Sequence, residues 1–228
     1  MADLGKRHHV IAYDRRGFGE TTAADEAFSH VEDLRAALDQ LGHSAASLIG
    51  CSQGGRIAID FALAYPQRVT SLALIAPAIS GAPAPTDIPP GIEAVAGKLD
   101  AAEDAGDWER VNALEAQLWL DGPTSAEGRV SGALRELFLD MNGIALGMPE
   151  LSKEIDPPSA YERVQDLSTP TLLIWGALDF PHVKSQAQYL VDTIPAAQGR
   201  EIESTAHLLN LEQPQLVNQL LRTLPGAV

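Results

Sequence analysis

The chain of 228 residues is 45% hydrophobic and 21% charged, which is typical of one ordinary globular core with room for an inserted subdomain. This composition excludes an intrinsically disordered chain. The formal net charge of -15 would repel nucleic acid and anionic membrane surfaces. We therefore expect a small molecule as the partner of this protein, and neither nucleic acid nor a membrane.

Cysteine usage and the start of the chain bear on the compartment. Cys51 is the single cysteine, so an intrachain disulfide is excluded. No apolar run approaches the roughly 18 residues that a membrane span requires, and the polar residues 1–9 lack the apolar region of a secretory signal. These features predict a cytoplasmic protein.

The first predicted elements are a short strand and a helix. Residues 10–13 are an apolar run that ends in the turn-rich residues 14–19, which predicts a strand. Apolar residues recur at helical intervals over residues 31–41. Ser29, just before this stretch, and Glu32, near its start, have the spacing of a capping box. A helix is expected there.

Strands and helices then alternate along most of the chain. The further predicted strands are residues 46–49, 69–75, 171–175 and 200–203, and the further predicted helices are residues 56–64, 183–194 and 213–224. Alternation of short buried strands with helices of about ten residues or more is typical of βαβ units and a parallel sheet.

One long stretch interrupts this alternation. Residues 80–90 are rich in Pro, Gly and Ala, and residues 92–120 and 129–141 are helical and acidic without a strand between them. An all-helical insert of this kind predicts a cap over the strand ends, although it is also compatible with an ordinary helical excursion that packs its own core. Three large aromatic side chains of the insert are expected to bind substrate: Trp108, Trp119 and Phe138.

The best motif for chemistry is the pentapeptide Gly50-Cys51-Ser52-Gln53-Gly54, which lies between a predicted strand and a predicted helix. This G-x-S-x-G pattern predicts a nucleophile elbow, in which the flanking glycines allow close approach of the chain around a strained serine. Ser52 is the candidate nucleophile. The backbone N–H of Gln53, just after it, is the candidate oxyanion donor.

A serine nucleophile needs a base and an acid that orients the base. His207 follows the predicted strand 200–203, and Asp179 follows the predicted strand 171–175. Because loops after parallel strands meet at one edge of the sheet, both residues are expected to lie near Ser52. A capping or core role for His207 and an ordinary turn role for Asp179 are the structural alternatives.

Other kinds of site have no support in the sequence. There is no metal-ligand spacing, no P-loop and no dinucleotide fingerprint, so neither a metal nor a cofactor is predicted. Cys51 precedes the serine and is expected to point away from the site. The remaining histidines, His182 among them, are interpreted as structural or solvated.

From Tyr13 onward the chain resembles a capped α/β-hydrolase. The resemblance rests on the Asp14–Gly19 turn, the elbow, the acid loop from Leu173 to Asp179 and the loop at Ala206 and His207, with the triad in the order Ser, Asp, His. It implies a mostly parallel sheet with helices on both faces, whose core consists of residues 1–79 and 166–228, with a helical cap over residues 80–165.

The resemblance implies three possible activities. Within the superfamily the chain is similar to esterase-like and enol-lactonase-like members, which implies a serine hydrolase of small carboxylic esters or lactones. Similarity to the cofactor-free haloperoxidase and perhydrolase group leaves peracid chemistry open. A catalytically silent ligand-binding protein is the third alternative.

The chain departs from the family at its front. Family members usually carry three strands and a first helix ahead of the strand at residues 10–13, including a His-Gly loop that gives a second oxyanion donor. We expect that the recorded start lies downstream of the true one. Alternatively, residues 10–13 pair directly with residues 46–49 and the amides of Arg15 to Gly17 replace that donor, or another copy of the chain covers the exposed sheet edge as a homo-oligomer.

Overall fold

The computed structural model describes residues 3–22, 26–149, 151 and 153–224. Its single sheet has four parallel strands in the order β1-β2-β3-β4, and these are Ala46–Cys51, Val69–Ile75, Thr171–Gly176 and Ala197–Ile202. The predicted parallel α/β sheet is therefore confirmed. All four carboxyl ends lie at one edge, where the loops that follow them meet.

Eight α-helices are described, and their bounds are α1 His30–Gln40, α2 Gln53–Ala64, α3 Pro90–Asp104, α4 Trp108–Glu115, α5 Ala133–Leu146, α6 Pro181–Thr193, α7 Leu209–Glu212 and α8 Pro214–Leu221. A π-helical segment, Ala116–Asp121, continues α4. At the start of α1, Ser29 Oγ accepts a hydrogen bond from Glu32 N–H at 3.4 Å, which is one half of the predicted capping box.

Two apolar clusters cover the two faces of the sheet. Leu72 and Leu74 of β2 belong to one cluster, while Ala73 and Ile75 belong to the other, because successive side chains of a strand point to opposite faces. Helices α1, α2 and α6 pack mainly into the first cluster, and α3, α4 and α8 into the second. Helices therefore lie on both faces, as predicted.

The insert between β2 and β3 is helical. Its described residues form no strand. One isolated β-bridge joins Glu154 of the insert to Phe28, which precedes α1. Val111 and Leu114 of α4 are fully buried in the same cluster as Ile75 of β2, so the first helices of the insert share the core of the sheet. The stretch predicted as one helix over residues 92–120 is divided at Gly106, whose φ of 67° favours glycine.

The predicted strand at residues 10–13 is absent. These residues belong to no strand, and Ile11 and Tyr13 are 42% and 47% exposed. A strand needs a neighbour for its backbone groups, and β1 lies at the end of the described sheet with β2 as its one partner strand. The hypothesis that residues 10–13 pair directly with β1 is therefore wrong. Ile49 of β1 is 50% exposed at this end.

The turn that follows these residues is fixed to α1 instead of the sheet. Arg16 holds the Asp33 carboxylate with two hydrogen bonds, from Nε at 2.7 Å and from Nη2 at 3.0 Å. This bidentate pair sets the position of the turn at residues 14–19.

Within the described residues, no helix combines the length and the apolarity that a membrane span requires.

Candidate active site

Ser52 lies at the sharp turn from β1 into α2. Its φ of 52° and ψ of -118° are unusual for a residue with a Cβ atom, and such strained backbone is typical of a nucleophile elbow. A Cβ on Gly50 would lie 2.3 Å from the backbone oxygen of Gly54, whereas a Cβ on Gly54 would meet nothing within 4 Å. The first glycine of the motif is thus required by close backbone approach, and the second is not.

His207 and Asp179 form a buried pair at the same edge of the sheet. The two Asp179 carboxylate oxygens lie 2.9 and 3.1 Å from His207 Nδ1, and both residues are 4% exposed. Asp179 Oδ1 also accepts a hydrogen bond from Phe180 N–H at 2.7 Å, which fixes the carboxylate. The pair therefore holds the proton of the neutral ring on Nδ1.

The second ring nitrogen of His207 is free for chemistry. Nε2 is buried and has no hydrogen-bond partner among the described residues. Buried polar atoms without a partner are rare in proteins and are typical of sites where a ligand or a reacting group completes the set. With Nδ1 occupied by Asp179, Nε2 is the atom available to accept a proton.

Ser52 and His207 line one cavity of about 280 Å³. The rest of the lining is mostly apolar and comes from the loop after β2, from the π-helical segment and from α6. Its apolar members are Ala76, Ala78, Ile79, Ala82, Pro83, Ala84, Pro85, Trp119 and Val183. Two polar side chains one helical turn apart on α6, His182 and Gln186, complete the lining. The cavity thus places the candidate nucleophile and the candidate base at one small, largely apolar pocket.

The aromatic residues predicted to bind substrate lie in three different places. Trp119 lines the cavity, and its ring centroid is 4.9 Å from that of His207. Trp108 is 56% exposed at the start of α4, and Phe138 packs with Leu120 in a cluster within the insert, so neither lines the cavity. Helical spacing indicates which side chains share a face, but it cannot tell which face meets the pocket.

His182 was missed by the sequence analysis, which interpreted it as structural or solvated. No described side chain forms a hydrogen bond with its imidazole, and burial lowers the pKa of the ring, with Asp179 acting in the opposite direction. The lowered pKa favours a neutral imidazole in the pocket at neutral pH. Its spacing of four residues from Gln186, directly after the acid loop, was the available signal.

Cys51 is ruled out as a competing nucleophile. Its side chain packs against the second apolar cluster, with Sγ 4.0 Å from Asn210 Oδ1, and it is not among the described residues that line the cavity. Burial, and to a smaller extent the Asp179 charge, raises the pKa of Cys51 to about 12. The thiolate, which is the reactive form, is therefore not populated at neutral pH.

The structure offers one candidate for an oxyanion donor, the backbone N–H of Gln53. Gln53 is the first residue of α2, so its N–H is one of the helix-terminal donors without an intrahelical acceptor. Neither Gln53 nor the stretch from Arg15 to Gly17, whose amides are the hypothetical second donor, is among the described residues that line the cavity. Among the described residues, no group of three or more His, Cys, Asp or Glu side chains is arranged to hold a metal ion.

Comparison with known proteins bears on the family and the fold of the chain. A family model described as "Alpha/beta hydrolase family" matches residues 1–220. The chain is 27% identical to a putative 2-succinyl-6-hydroxy-2,4-cyclohexadiene-1-carboxylate synthase of Bacillus subtilis, over 93% of this chain and 79% of that protein. It is 26% identical to a 2-hydroxy-6-oxononadienedioate/2-hydroxy-6-oxononatrienedioate hydrolase of Paraburkholderia phymatum, over 97% of this chain and 77% of that protein.

Solved structures share the fold. A hydrolase from Pseudomonas aeruginosa superimposes with a TM-score of 0.72 at 23% identity, covering 98% of this chain and 82% of that one. An esterase from Rhodococcus sp. superimposes with a TM-score of 0.71 at 23% identity, covering 100% and 84%. At these identities the likeness concerns the fold, which is that of a parallel sheet with helices on both faces.

Proposed function

Because this chain belongs to the alpha/beta hydrolase family, we propose that it is a serine hydrolase of small, uncharged carboxylic esters or lactones. The observation that carries the proposal is the state of His207. Its Nδ1 is held by Asp179, its Nε2 has no partner among the described residues, and its ring shares a cavity with Ser52. These features support His207 as the base that takes the proton of the Ser52 hydroxyl group.

In the acylation step, Ser52 Oγ attacks the carbonyl carbon of the ester while His207 Nε2 takes the hydroxyl proton. The carbonyl oxygen of the tetrahedral intermediate carries the negative charge, and Gln53 N–H donates a hydrogen bond to it. The intermediate then collapses, the bond to the alcohol oxygen breaks, and His207 gives its proton to the leaving alcohol. An acyl-enzyme on Ser52 remains.

Water completes the cycle. It attacks the acyl carbon while His207 Nε2 accepts its proton, and the second tetrahedral intermediate releases the carboxylic acid as the proton returns to Ser52 Oγ. Asp179 stays ionised throughout and stabilises the imidazolium that forms in each half of the reaction. If hydrogen peroxide replaces water in this step, the product is a peracid, which is the perhydrolase alternative.

The lining of the cavity supports an uncharged, small substrate. A volume of about 280 Å³ and walls of Ala, Pro, Ile, Val and Trp suit a short acyl group. None of the described residues that line the cavity is an arginine or a lysine, so no lining cation offsets a carboxylate on the substrate. For that reason we do not extend to this chain the dioate substrate named for the hydrolase of Paraburkholderia phymatum.

The test is hydrolysis and covalent labelling by matched variants. The wild-type chain and Ser52→Ala are incubated with p-nitrophenyl acetate, with a small lactone and with a fluorophosphonate probe that is read by intact-mass spectrometry. We expect ester turnover and one probe adduct on the wild type, and neither on Ser52→Ala. Cys51→Ala serves as the matched control one residue away and keeps both signals.

Two other outcomes would point elsewhere. Equal turnover by the wild type and Ser52→Ala would overturn the mechanism. Thermal stabilisation by a short-chain ester without any hydrolysis would favour a silent ligand-binding protein, in which a single oxyanion donor does not suffice. Peracid formation from acetate and peroxide, measured in parallel, distinguishes the perhydrolase from the esterase.

A further inference from the structure

Arg129 of the insert reaches the loop that carries His207. Its guanidinium donates hydrogen bonds to the backbone oxygens of Leu120 and Asp121, at the end of the π-helical segment. On its other side, Nη1 donates to the backbone oxygen of Ser204 at 3.1 Å and lies 2.7 Å from the Glu212 carboxylate. One side chain thus joins the insert to the residues just before His207.

Glu212 holds the same loop from the opposite end. Its Oε1 accepts a hydrogen bond from Ala206 N–H at 2.7 Å, while its Oε2 faces Arg129. The Glu212 side chain is 8% exposed, so these two partners take the place of the water that would surround an exposed carboxylate. The loop between them contains Ser204 in the left-handed region with a φ of 61°, a conformation that persists when the surroundings fix it.

The position of Arg129 is itself fixed from within the insert. Asp121 is fully buried and accepts hydrogen bonds at 2.8 Å from the N–H groups of Gly128 and Val130, which flank Arg129 on both sides. Arg135 forms an ion pair with the same carboxylate at 2.7 Å. The hairpin-like segment that presents Arg129 is therefore ordered by buried, charge-assisted hydrogen bonds.

We propose that Arg129 and Glu212 are positioning residues that set the place of His207 relative to Ser52, by coupling the helical insert to the histidine loop. The inference rests on the proposed hydrolase function. Neither residue lines the cavity, so neither contacts the substrate directly. Their effect passes through the backbone of Ser204 and Ala206, which precede His207, and through Trp119 of the insert, whose ring packs on the imidazole.

Loss of this coupling acts on the rate of the chemical step. A displacement of a catalytic group by about 1 Å costs on the order of a hundredfold in rate, whereas an unchanged pocket keeps its affinity. In Arg129→Met the backbone oxygens of Ser204, Leu120 and Asp121 lose their donor and the Glu212 carboxylate loses its cation. The expected result is a fall in kcat with little change in KM.

The experiment compares Arg129→Met with Arg129→Lys, Glu212→Gln and the control Arg110→Gln. Arg110 is a second arginine of the insert and pairs at 2.9 Å with the exposed Glu127; among the described residues, neither side chain forms a hydrogen bond or an ion pair with the histidine loop. Kinetics are measured with p-nitrophenyl acetate per active site titrated with a fluorophosphonate, so that unfolded protein does not contribute. We expect kcat to fall by about 10- to 100-fold in Arg129→Met, with KM within about twofold, and to stay unchanged in Arg110→Gln.

The conservative variants sharpen the test. Lysine restores the charge opposite Glu212 but not the fork of hydrogen bonds, so Arg129→Lys recovers part of the lost kcat. Gln at position 212 can still accept from Ala206 N–H but gives up the ion pair, which places Glu212→Gln between the wild type and Arg129→Met. Wild-type kcat in Arg129→Met would overturn the proposal. An equal fall of kcat in Arg129→Met and Arg110→Gln would also overturn it, because the loss would then not be specific to the contact with the histidine loop.

A readout without substrate separates this inference from the proposed function. The Nδ1 proton of His207, hydrogen-bonded to Asp179, gives a downfield proton NMR signal when the ring is held in place. We expect that signal in the wild type and Arg110→Gln, and its loss or broadening in Arg129→Met. An unchanged signal in Arg129→Met refutes the positioning role, whatever the wild type hydrolyses, whereas absent esterase activity with the expected NMR change refutes only the reaction.

Discussion

Ser80 Oγ donates a hydrogen bond to Asp60 Oδ1 at 2.5 Å and accepts one from Ala160 N–H at 3.0 Å. Asp60 lies in α2, the helix that follows the nucleophile, while Ser80 belongs to the loop after β2 and Ala160 to the chain that returns from the insert. A nearly buried carboxyl group therefore links three segments behind the elbow, and its protonation state bears on the stability of the fold.

Asp60 makes the stability pH-dependent. Burial raises its pKa from 3.8 to about 6, against the smaller lowering effects of the Ser80 hydrogen bond and the Arg56 charge. Between pH 3.8 and about pH 6, Asp60 is therefore protonated in the folded state and ionised in the unfolded state. The resulting stabilisation is complete below the unfolded pKa and is lost as the pH rises through about 6.

We expect Asp60→Asn to raise the free energy of unfolding at pH 8 by about 1 to 2 kcal/mol relative to the wild type, with a much smaller difference at pH 4.5. Asparagine keeps an oxygen that accepts from Ser80 but carries no charge to desolvate. Urea unfolding followed by circular dichroism at the two pH values measures the difference. Asp192→Asn, at an exposed position on α6, should show no such pH dependence.

The two glycines of the motif should respond differently to the same substitution. In Gly50→Ala the new Cβ would overlap the backbone of Gly54 at 2.3 Å, a contact that only movement of the elbow could relieve. We expect an insoluble protein or a loss of several kcal/mol of stability, about 3 or more. In Gly54→Ala the space is open, and a helical alanine is favoured over glycine by about 0.5 to 1 kcal/mol.

Urea unfolding of both glycine variants measures their free energies of unfolding and tests the steric effect independently of catalytic activity. Equal stabilities would mean that the backbone approach at Gly50 is not as tight as the structure has it. Gly54→Ala is the matched control, because it changes the same motif by the same single methyl group.

These glycines also show what the sequence could and could not predict. The run Val69–Ile75 predicted a strand with the observed bounds, because a central strand buried on both faces is a mostly apolar stretch. Residues 10–13 have the same apolar character, but no neighbouring strand is described for them to pair with, and local composition does not report neighbours. Asp179 and His207 were predicted to meet, since loops after parallel strands share an edge.

The features that the sequence analysis missed depend on tertiary contacts. Trp108 and Trp119 are equally large and lie on one continuous helical stretch, but only Trp119 faces the cavity. Arg129 and Glu212 are far apart in the chain, and neither belongs to a motif. Their pairing follows from how the insert folds back on the histidine loop, which no spacing rule encodes.

Replacement of Asp179 by asparagine should separate orientation from binding. The amide can present its N–H group to Nδ1, which favours the ring tautomer with its proton on Nε2, where it cannot accept the Ser52 proton. We expect Asp179→Asn to lower kcat for p-nitrophenyl acetate by about 10⁴-fold with KM little changed. Addition of Ser52→Ala to this variant should cost much less activity than Ser52→Ala costs in the wild type, since the two residues act as one unit.

His182 and Gln186 should control selectivity for a hydrogen-bonding group on the substrate. Both side chains line the cavity and neither has a hydrogen-bond partner among the described residues. A neutral hydroxyl group on the acyl chain would supply a partner for one of them, worth about 1 to 1.5 kcal/mol, or roughly tenfold in kcat/KM.

The measurement is the ratio of kcat/KM for p-nitrophenyl 3-hydroxybutyrate to that for p-nitrophenyl butyrate. We expect this ratio to fall about tenfold in the double variant His182→Leu, Gln186→Leu, through slower reaction of the hydroxylated ester. Gln188→Leu, on the exposed side of α6, should leave the ratio unchanged. A ratio that the double variant does not change would mean that the acyl chain does not reach α6, and the alcohol portion of the ester would then be the part that contacts it.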